Sequence, residues 1–277
     1  MTNRYLPPRF FSQVHRHLWL TFSESATRGP LFAVVGPPGE GKTWQLEESL
    51  RQCNTEALHI FAGDMESFDA ARPTDHLVET LQRAAVARSG GVPTALVIHD
   101  IDTTLGEWEQ NTGTVNHQQL LAELMSYADK ASHLRYGGRA TPVFVTANDL
   151  GKLYAPLRRS QRISVFQWLP THEERTRVVE ALLGSSSEGI AARIVDQFPE
   201  QSIAFFSEGI GRHREDLYMR RNLSATVTDM RQVIGMRWTH SIETGDATID
   251  DWLATFEQLD IERKRAAVNY VNGGKAQ

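Results

Sequence analysis

Residues 31–43 read LFAVVGPPGEGKT, and this stretch decides how the rest of the chain is interpreted. Five apolar residues predict a buried β-strand, which breaks into a glycine-rich turn and opens a helix at Lys42. Glycines allow backbone conformations that a Cβ disfavours, so successive N–H groups can turn towards a phosphate chain. The helix start adds further N–H groups and the positive end of its dipole. The stretch matches the P-loop pattern and predicts nucleotide binding.

The pattern gives each residue type in the turn a role. Lys42 would neutralise the β- and γ-phosphates of ATP, and the Thr43 hydroxyl would ligate Mg²⁺. ATP and Mg²⁺ are therefore the expected cofactors. The expected nucleotide contacts are Gly36, Pro37, Pro38, Gly39, Glu40, Gly41, Lys42, Thr43 and Trp44.

Carboxylates follow another predicted strand. The run at 95–98 is apolar throughout, as expected for a central parallel strand covered on both faces, and it ends in HDID at 99–102. Carboxylates at the carboxyl end of such a strand, beside a P-loop, are placed for Mg²⁺ and the attacking water. Asp100 and Asp102 are therefore predicted metal ligands. The alternative is a solvated turn at the strand end.

Two other polar stretches adjoin predicted strands. Asn148 follows the strand at 142–146, where it would either hold the hydrolytic water or cap the next helix. Arg158, Arg159 and Arg162 precede the strand at 163–166. Such a run is either a solvated face or an arginine finger donated to the phosphates of a neighbouring subunit.

The alternation of strands and helices predicts an α/β fold with a doubly wound, parallel, five-stranded sheet. A further short strand is expected at 58–61. From residue 169 onward the strand signals end, and a capping box at 171–174 opens a helical region. We expect an α/β nucleotide-binding domain at 1–168 and an all-helical lid at 169–277. The lid helices are predicted at 172–183, 187–197, 202–219, 223–235 and 248–270.

Composition limits the partners and the location of the protein. The chain of 277 residues has 29 basic and 34 acidic side chains, a net charge of −5, so neither nucleic acid nor membrane is an expected partner. The start of the sequence lacks the apolar segment of a secretory signal, so a cytoplasmic location is expected. Cys53 is the only cysteine, which excludes a cysteine zinc cluster. His15 and His17, two residues apart, are interpreted as a surface pair.

With these motifs placed, the chain resembles AAA+ ATPases and, more narrowly, the green-type Rubisco activases. The likeness runs through GDMES at 63–67, TVN at 114–116, VTAND at 145–149 and LYAPL at 153–157, and continues into the helical region. The tract at 153–170 is the most specific piece, because ATPases in general do not share it.

The resemblance implies a ring, usually a hexamer, with nucleotide held between subunits. Asn148 would take the sensor-1 role, and Arg159 and Arg162 match the trans-acting arginines. Asp100 falls on the position of the catalytic carboxylate and His99 on that of the magnesium relay. Most AAA+ proteins carry Asp-Glu there, so the division of labour between these two residues stays open.

Other implied features lie in loops and in the lid. Arg212 falls where the sensor-2 arginine is expected, with Arg214 equally near. Residues 63–67 and 104–116 match two pore loops that grip a polypeptide in such rings. The chain begins almost at the ATPase core, so it is expected to lack the amino-terminal extension by which plant activases engage Rubisco.

The sequence therefore predicts an ATP-hydrolysing protein remodeller that forms a homo-oligomer and releases tightly bound inhibitory sugar phosphates from Rubisco. One alternative keeps the motor and changes the client to another protein complex. A second is a nucleotide-switched, DNA-associated loader or scaffold. Its footprint would be the lid arginines Arg212, Arg214, Arg220, Arg221 and Arg231. The acidic total favours the motor over this loader.

Overall fold

A parallel sheet organises residues 6–169, which form one of two compact units. The computed structural model describes residues 5–24, 29–61, 64, 72–104, 115–149, 151, 155–159, 161–184, 189–222 and 247–273. The strands are β1 (Leu31–Val35), β2 (Glu56–Ile60), β3 (Thr94–Ile98), β4 (Val143–Ala147) and β5 (Ile163–Gln167). The order of the 5-stranded sheet is β2-β3-β4-β1-β5 with parallel pairings, which confirms the predicted fold class.

Helices cover both faces of this sheet. They are α1 (Pro8–Phe22), α2 (Lys42–Gln52), α3 (Arg72–Ser89), α4 (Ile101–Thr104) and α5 (Val115–Asp129). Leu31, Ala33 and Val35 of β1 share a core with residues of α3 and α5, whereas Phe32 and Val34 share another with α1 and α2. Alternate side chains of one strand therefore enter opposite layers, which makes the sheet doubly wound.

The register of the strands brings the site residues to one edge of the sheet. Val35, the last residue of β1, pairs with Ala147 of β4 and Gln167 of β5, and Ile60 of β2 pairs with Ile98 of β3. The polar residues that follow these strands consequently leave the sheet at its carboxyl edge. This is the edge where open parallel sheets bind ligands.

Two sequence-based expectations about this unit were wrong. His17 is not on the surface: it is 5% exposed, its Nε2 lies 3.0 Å from the Pro30 oxygen, and its ring packs against Phe32 and Phe144. The stretch at 104–116, expected to be the second pore loop, is helical at both ends, because α4 extends to Thr104 and α5 begins at Val115. Residues 105–114 lie outside the described part of the chain, as do 63 and 65–67 of the first expected pore loop.

Residues 170–277, together with 1–5, form the second compact unit. Its described helices are α6 (His172–Leu183), α7 (Ile190–Gln197), α8 (Ile203–Asn222) and α9 (Ile249–Gly273). The helix predicted at 223–235 lies outside the described residues, and the domain boundary predicted after residue 168 stays a prediction. Among the described residues, the core of this unit combines aliphatic side chains with five buried aromatic rings, at Phe198, Phe205, Phe206, Trp252 and Phe256.

The first helix of this unit begins as its sequence predicts. The Thr171 hydroxyl accepts from the backbone N–H of Glu174, and the Glu174 carboxylate accepts from the N–H of Thr171. This reciprocal capping box pairs two donors that would otherwise lack partners. Among the described helices of the chain, none is long and apolar enough to cross a membrane.

Candidate nucleotide site

The glycine-rich turn after β1 has the backbone that a phosphate-binding loop requires. Gly39 and Gly41 have φ angles of 80° and 72°, a left-handed conformation that favours glycine. Gly36 is required for a different reason, since a Cβ there would lie 2.0 Å from the carbonyl oxygen of Trp168. The turn leads directly into α2 at Lys42.

Lys42 points back into the loop. Its ammonium group donates to the carbonyl oxygens of Gly36 at 2.8 Å and Pro37 at 2.9 Å, and to the Asn148 Oδ1 atom at 2.8 Å. The last contact joins the loop after β1 to the end of β4. Lys42 is only 6% exposed, and burial lowers its pKa, while the nearby carboxylates of Asp100, Asp102 and Glu40 act in the opposite direction. An anion reaching this ammonium would relieve the cost of burying it.

Asp100 and Asp102 have different surroundings. Asp100 is exposed at the end of β3, and its φ of 46° puts a non-glycine residue in the left-handed region. Its backbone N–H donates to the Thr146 hydroxyl at 2.9 Å. Strained conformations of this kind cluster at functional sites, where the surrounding structure enforces them.

Asp102 is 3% exposed and lies on the short helix α4. Its Oδ2 atom accepts from the backbone N–H groups of Asn148 and Asp149, each at 3.0 Å. Its Oδ1 atom is buried and has no hydrogen-bond partner among the described residues. One oxygen of this carboxylate therefore fixes the end of β4, and the other is left for a ligand.

The side chain of Trp168 holds the glycine-rich turn in place through a hydrogen bond. Its indole N–H donates to the Glu40 carbonyl oxygen at 2.7 Å, and the side chain is completely buried. The Arg9 guanidinium lies 5.0 Å from the centre of the Trp168 ring and donates to the Leu169 carbonyl oxygen at 3.0 Å. The loop is thereby attached to the residues that follow β5.

The geometry fits ATP with Mg²⁺. The Lys42 ammonium is surrounded by oxygen acceptors that a phosphate can replace, and Thr43 is the second residue of α2. The buried, unpartnered Asp102 oxygen suits a hydrated hard cation. Trp44, also predicted to contact nucleotide, is 42% exposed on the first turn of α2.

The arginines before β5 separate into two kinds. Arg162 donates through Nε and Nη2 to the two oxygens of Asp129 at 2.8 and 2.7 Å, and through Nη1 to the Pro156 oxygen at 3.0 Å. This bidentate pair lowers the pKa of Asp129. Arg159 is exposed. Arg162 is therefore hydrogen-bonded within its own chain, whereas Arg159 is exposed to solvent.

The candidate sensor-2 arginines belong to the second unit. Arg212 of α8 pairs with Glu208 at 2.8 Å and with Glu262 of α9. Arg214 donates to the carbonyl oxygens of Leu182 and Leu183 at 2.7 and 3.1 Å. The sensor-2 role of either arginine stays a prediction.

Sequence reasoning missed a contact beside the site. His99 follows β3, and its Nε2 atom lies 2.9 Å from Nδ1 of His59, the fourth residue of β2. Burial is the main cause that lowers the pKa of His99, and the neighbouring imidazole adds to it. The pairing of β2 with β3 could have indicated the contact, but neither histidine belongs to a recognisable spacing.

Comparisons with known proteins agree with this geometry. Residues 32–171 match the model of the "ATPase family associated with various cellular activities (AAA)". The ribulose bisphosphate carboxylase/oxygenase activase of Anabaena sp. (strain CA) is 34% identical over 217 residues, covering 73% of this chain and 52% of the relative. The chloroplastic activase of Solanum pennellii is 31% identical over 267 residues, covering 92% and 57%. That of Vigna radiata var. radiata is 30% identical over 293 residues, covering 97% and 65%.

These matches confirm the resemblance to AAA+ proteins and to Rubisco activases, which extends over most of this chain. The chain spans 52% to 65% of the length of these three relatives. The family model covers the P-loop, both aspartates, Asn148 and the arginines before β5. The chain therefore belongs to the AAA family of ATPases.

Proposed function

We propose that this protein hydrolyses ATP to remodel a protein client, and that the client is Rubisco blocked by a tightly bound sugar phosphate. The observation that carries the ATPase part is the 2.8 Å contact between Lys42 and Asn148, which joins the phosphate loop to the strand end beside Asp100 and Asp102. The client is proposed from similarity to proteins named as Rubisco activases.

The residues at the sheet edge divide the work of hydrolysis. Lys42 exchanges its loop oxygens for the β- and γ-phosphates of ATP. Thr43, Asp100 and Asp102 would hold Mg²⁺, which when bound neutralises charge on the phosphate oxygens. The exposed Asp100 carboxylate, with Asn148, orients the attacking water and accepts its proton. His99 is directed at His59, so Asp100 rather than His99 is the proposed base.

A neighbouring copy completes the site by supplying an arginine. We assign this role to Arg159, because its side chain is exposed. Arg162 holds the segment in place through Asp129 and Pro156, so it is a positioning residue. Hydrolysis is then carried out by a homo-oligomer, proposed to be a hexameric ring, with Arg212 of the helical unit as the sensor-2 residue.

The experiment that tests this function mixes two inactive variants. Lys42→Ala removes the phosphate contact but keeps Arg159, whereas Arg159→Ala keeps the loop but lacks the arginine. Each variant alone is expected to lose at least a hundredfold in ATPase rate, since a trans-acting arginine contributes about 10³–10⁵ in such enzymes. Mixed together they should recover a measurable fraction of the wild-type rate, because some interfaces then combine an intact loop with an intact arginine.

No recovery on mixing, with both variants folded and associating, would contradict an arginine supplied in trans. The client is tested with the wild-type protein, ATP and inhibitor-locked Rubisco, where carboxylation should recover only if Lys42 is intact. Active ATPase without recovered carboxylation would instead favour another protein complex as the client. The net charge of −5 argues against the DNA-associated loader, because nonspecific binding to nucleic acid depends on basic side chains.

A further inference from the structure

Three potential metal ligands converge beside the phosphate loop from three different elements. They are Glu47 on α2, His59 on β2 and His99 directly after β3. One ligand atom from each side chain lies within 4.8 Å of the other two, and the two imidazole nitrogens are 2.9 Å apart. Nothing in the proposed hydrolysis mechanism uses Glu47 or His59.

The ligand set is specific in its chemistry. Two imidazole nitrogens and a carboxylate oxygen are typical of Zn²⁺ sites, with bonds of about 2.0–2.2 Å. Two ligands of a tetrahedral ion are then about 3.3 Å apart. The two nitrogens at 2.9 Å are slightly closer than this value and all three atoms lie within 4.8 Å of one another, so side-chain rotations would bring them to bonding distance. Mg²⁺ prefers oxygen ligands and near-octahedral geometry, so it is a poor fit to this set.

The two histidines are held in position by the sheet and by an aromatic ring. Ile60 pairs with Ile98 in the β2–β3 register, and the His99 backbone N–H donates to the Ile60 carbonyl oxygen at 3.0 Å. The Phe61 ring stacks on His99 with centroids 4.6 Å apart and planes 7° apart. Side chains that are already oriented before the ion arrives favour metal binding.

Access to the cluster is open on one side. His99 is buried, His59 is half-buried and Glu47 is exposed. An ion can therefore enter from solvent past Glu47, and a water molecule can complete its coordination, as in sites with three protein ligands.

We propose that Glu47, His59 and His99 bind one divalent transition-metal ion, with Zn²⁺ as the best match, at a site distinct from the Mg²⁺ site of the nucleotide. The ion would connect α2, which carries Lys42 five residues before Glu47, to the end of β3, which carries Asp100. Metal binding would thus link two elements of the nucleotide site without contacting the nucleotide.

The test measures metal binding directly, without ATPase activity. Chelator-treated, tag-free protein is titrated with Zn²⁺ in competition with a chromogenic chelator, with excess Mg²⁺ and no nucleotide. We expect one tight Zn²⁺ per chain, and at least tenfold weaker binding in both His59→Gln and Glu47→Gln. His15→Gln, which changes an exposed histidine on α1, and Lys42→Ala should bind as the wild type does.

A second measurement guards against misfolding of the variants. Zn²⁺ should raise the melting temperature of the wild type and of His15→Gln, but not that of His59→Gln or Glu47→Gln, because a ligand of the native state stabilises it. Glu47 is exposed on a helix surface, so Glu47→Gln is expected to fold normally. Wild-type Zn²⁺ affinity in both cluster variants, or no stoichiometric binding to the wild type, would overturn the proposal.

Discussion

The described parts of the α/β unit and the helical unit differ in the charged side chains that they bury. The α/β unit buries Lys42, His99 and Asp102 near the carboxyl edge of its sheet, each at most 6% exposed. The described core of the helical unit is built around aromatic rings, and its ion pairs, such as Arg263 with Glu208, lie nearer the surface. A buried charged group is costly unless it has a partner, and a bound ligand of opposite charge can serve as that partner. Packed aromatic rings have no such requirement. The buried charged side chains of the candidate nucleotide site therefore belong to the α/β unit.

The largest loss of stability is expected when an aromatic ring is removed from the core of the helical unit. Phe256 of α9 is fully buried and packs against Phe198, Phe205 and Phe206, with centroids 5.6–6.0 Å apart. A Cβ at Gly209 would lie 2.1 Å from this ring, so the ring sits directly on the backbone of α8. Phe256→Ala should lower the free energy of unfolding by about 3–5 kcal/mol, measured by urea denaturation.

The matched control is Ile261→Ala on the same helix. Ile261 is 49% exposed, so its truncation should cost under about 1 kcal/mol. Equal losses in the two variants would mean that the aromatic cluster does not determine the stability of this unit.

A smaller effect is expected at the sheet edge of the α/β unit. Asp102→Ala leaves the backbone N–H groups of Asn148 and Asp149 without their acceptor and should cost about 2 kcal/mol of unfolding free energy. Asp102→Asn keeps one oxygen for those groups but replaces the other with an NH₂ donor. It should retain most of the stability, yet need about tenfold more Mg²⁺ for half-maximal ATPase activity.

These two substitutions separate the roles of the two oxygens. An unchanged Mg²⁺ requirement in Asp102→Asn would assign Asp102 to fixing the strand end alone. Full stability of Asp102→Ala would show that the N–H groups find other acceptors.

The smallest effect is a pH dependence in the helical unit. His213 of α8 packs against Trp252 with ring centroids 3.9 Å apart and planes tilted by 30°, and its Nε2 atom is buried without a hydrogen-bond partner among the described residues. Burial lowers the pKa of His213 below the ordinary value. Its contribution to stability is therefore complete above about pH 6.5 and is lost as the pH falls through the folded-state pKa.

The expected slope is at most about 1.4 kcal/mol per pH unit, measured by urea unfolding between pH 7.5 and 5.5. His213→Phe keeps an aromatic ring on Trp252 and should show a smaller slope over that range. The charged groups around His213 that influence its pKa are unchanged in this variant; they are Asp216, Asp251, Arg214 and Arg220. Identical slopes would assign the pH dependence to other groups.

Much of the fold follows from local patterns in the sequence. The predicted strands agree with the observed ones within two residues. Continuous apolar runs mark the three strands that are buried along their whole length, β1, β3 and β4. The predicted helix at 172–183 coincides with α6, because its capping box states where it begins. The burial of His17 was not predicted, because the spacing of His15 and His17 on a helix does not reveal that the Pro30 carbonyl oxygen lies within hydrogen-bonding distance of His17.

The candidate site was predictable where it depends on one stretch and unpredictable where it depends on distant ones. The P-loop residues could be predicted because the spacing of the glycines, Lys42 and Thr43 is typical of a phosphate-binding loop. The pairing of Arg162 with Asp129 spans 33 residues, and that of His59 with His99 spans 40. Such contacts come from strand order and helix packing, which no local spacing encodes. The pairing of Arg162 with Asp129 could therefore not be predicted from the sequence.

The hydrogen bond from Trp168 to the Glu40 carbonyl has a mechanical consequence. The Trp168 indole donates a hydrogen bond to the loop that would contact the γ-phosphate. Two residues later, at Pro170, the chain enters the second unit. Any displacement of this loop therefore acts on a residue that stands two positions before the start of the second unit.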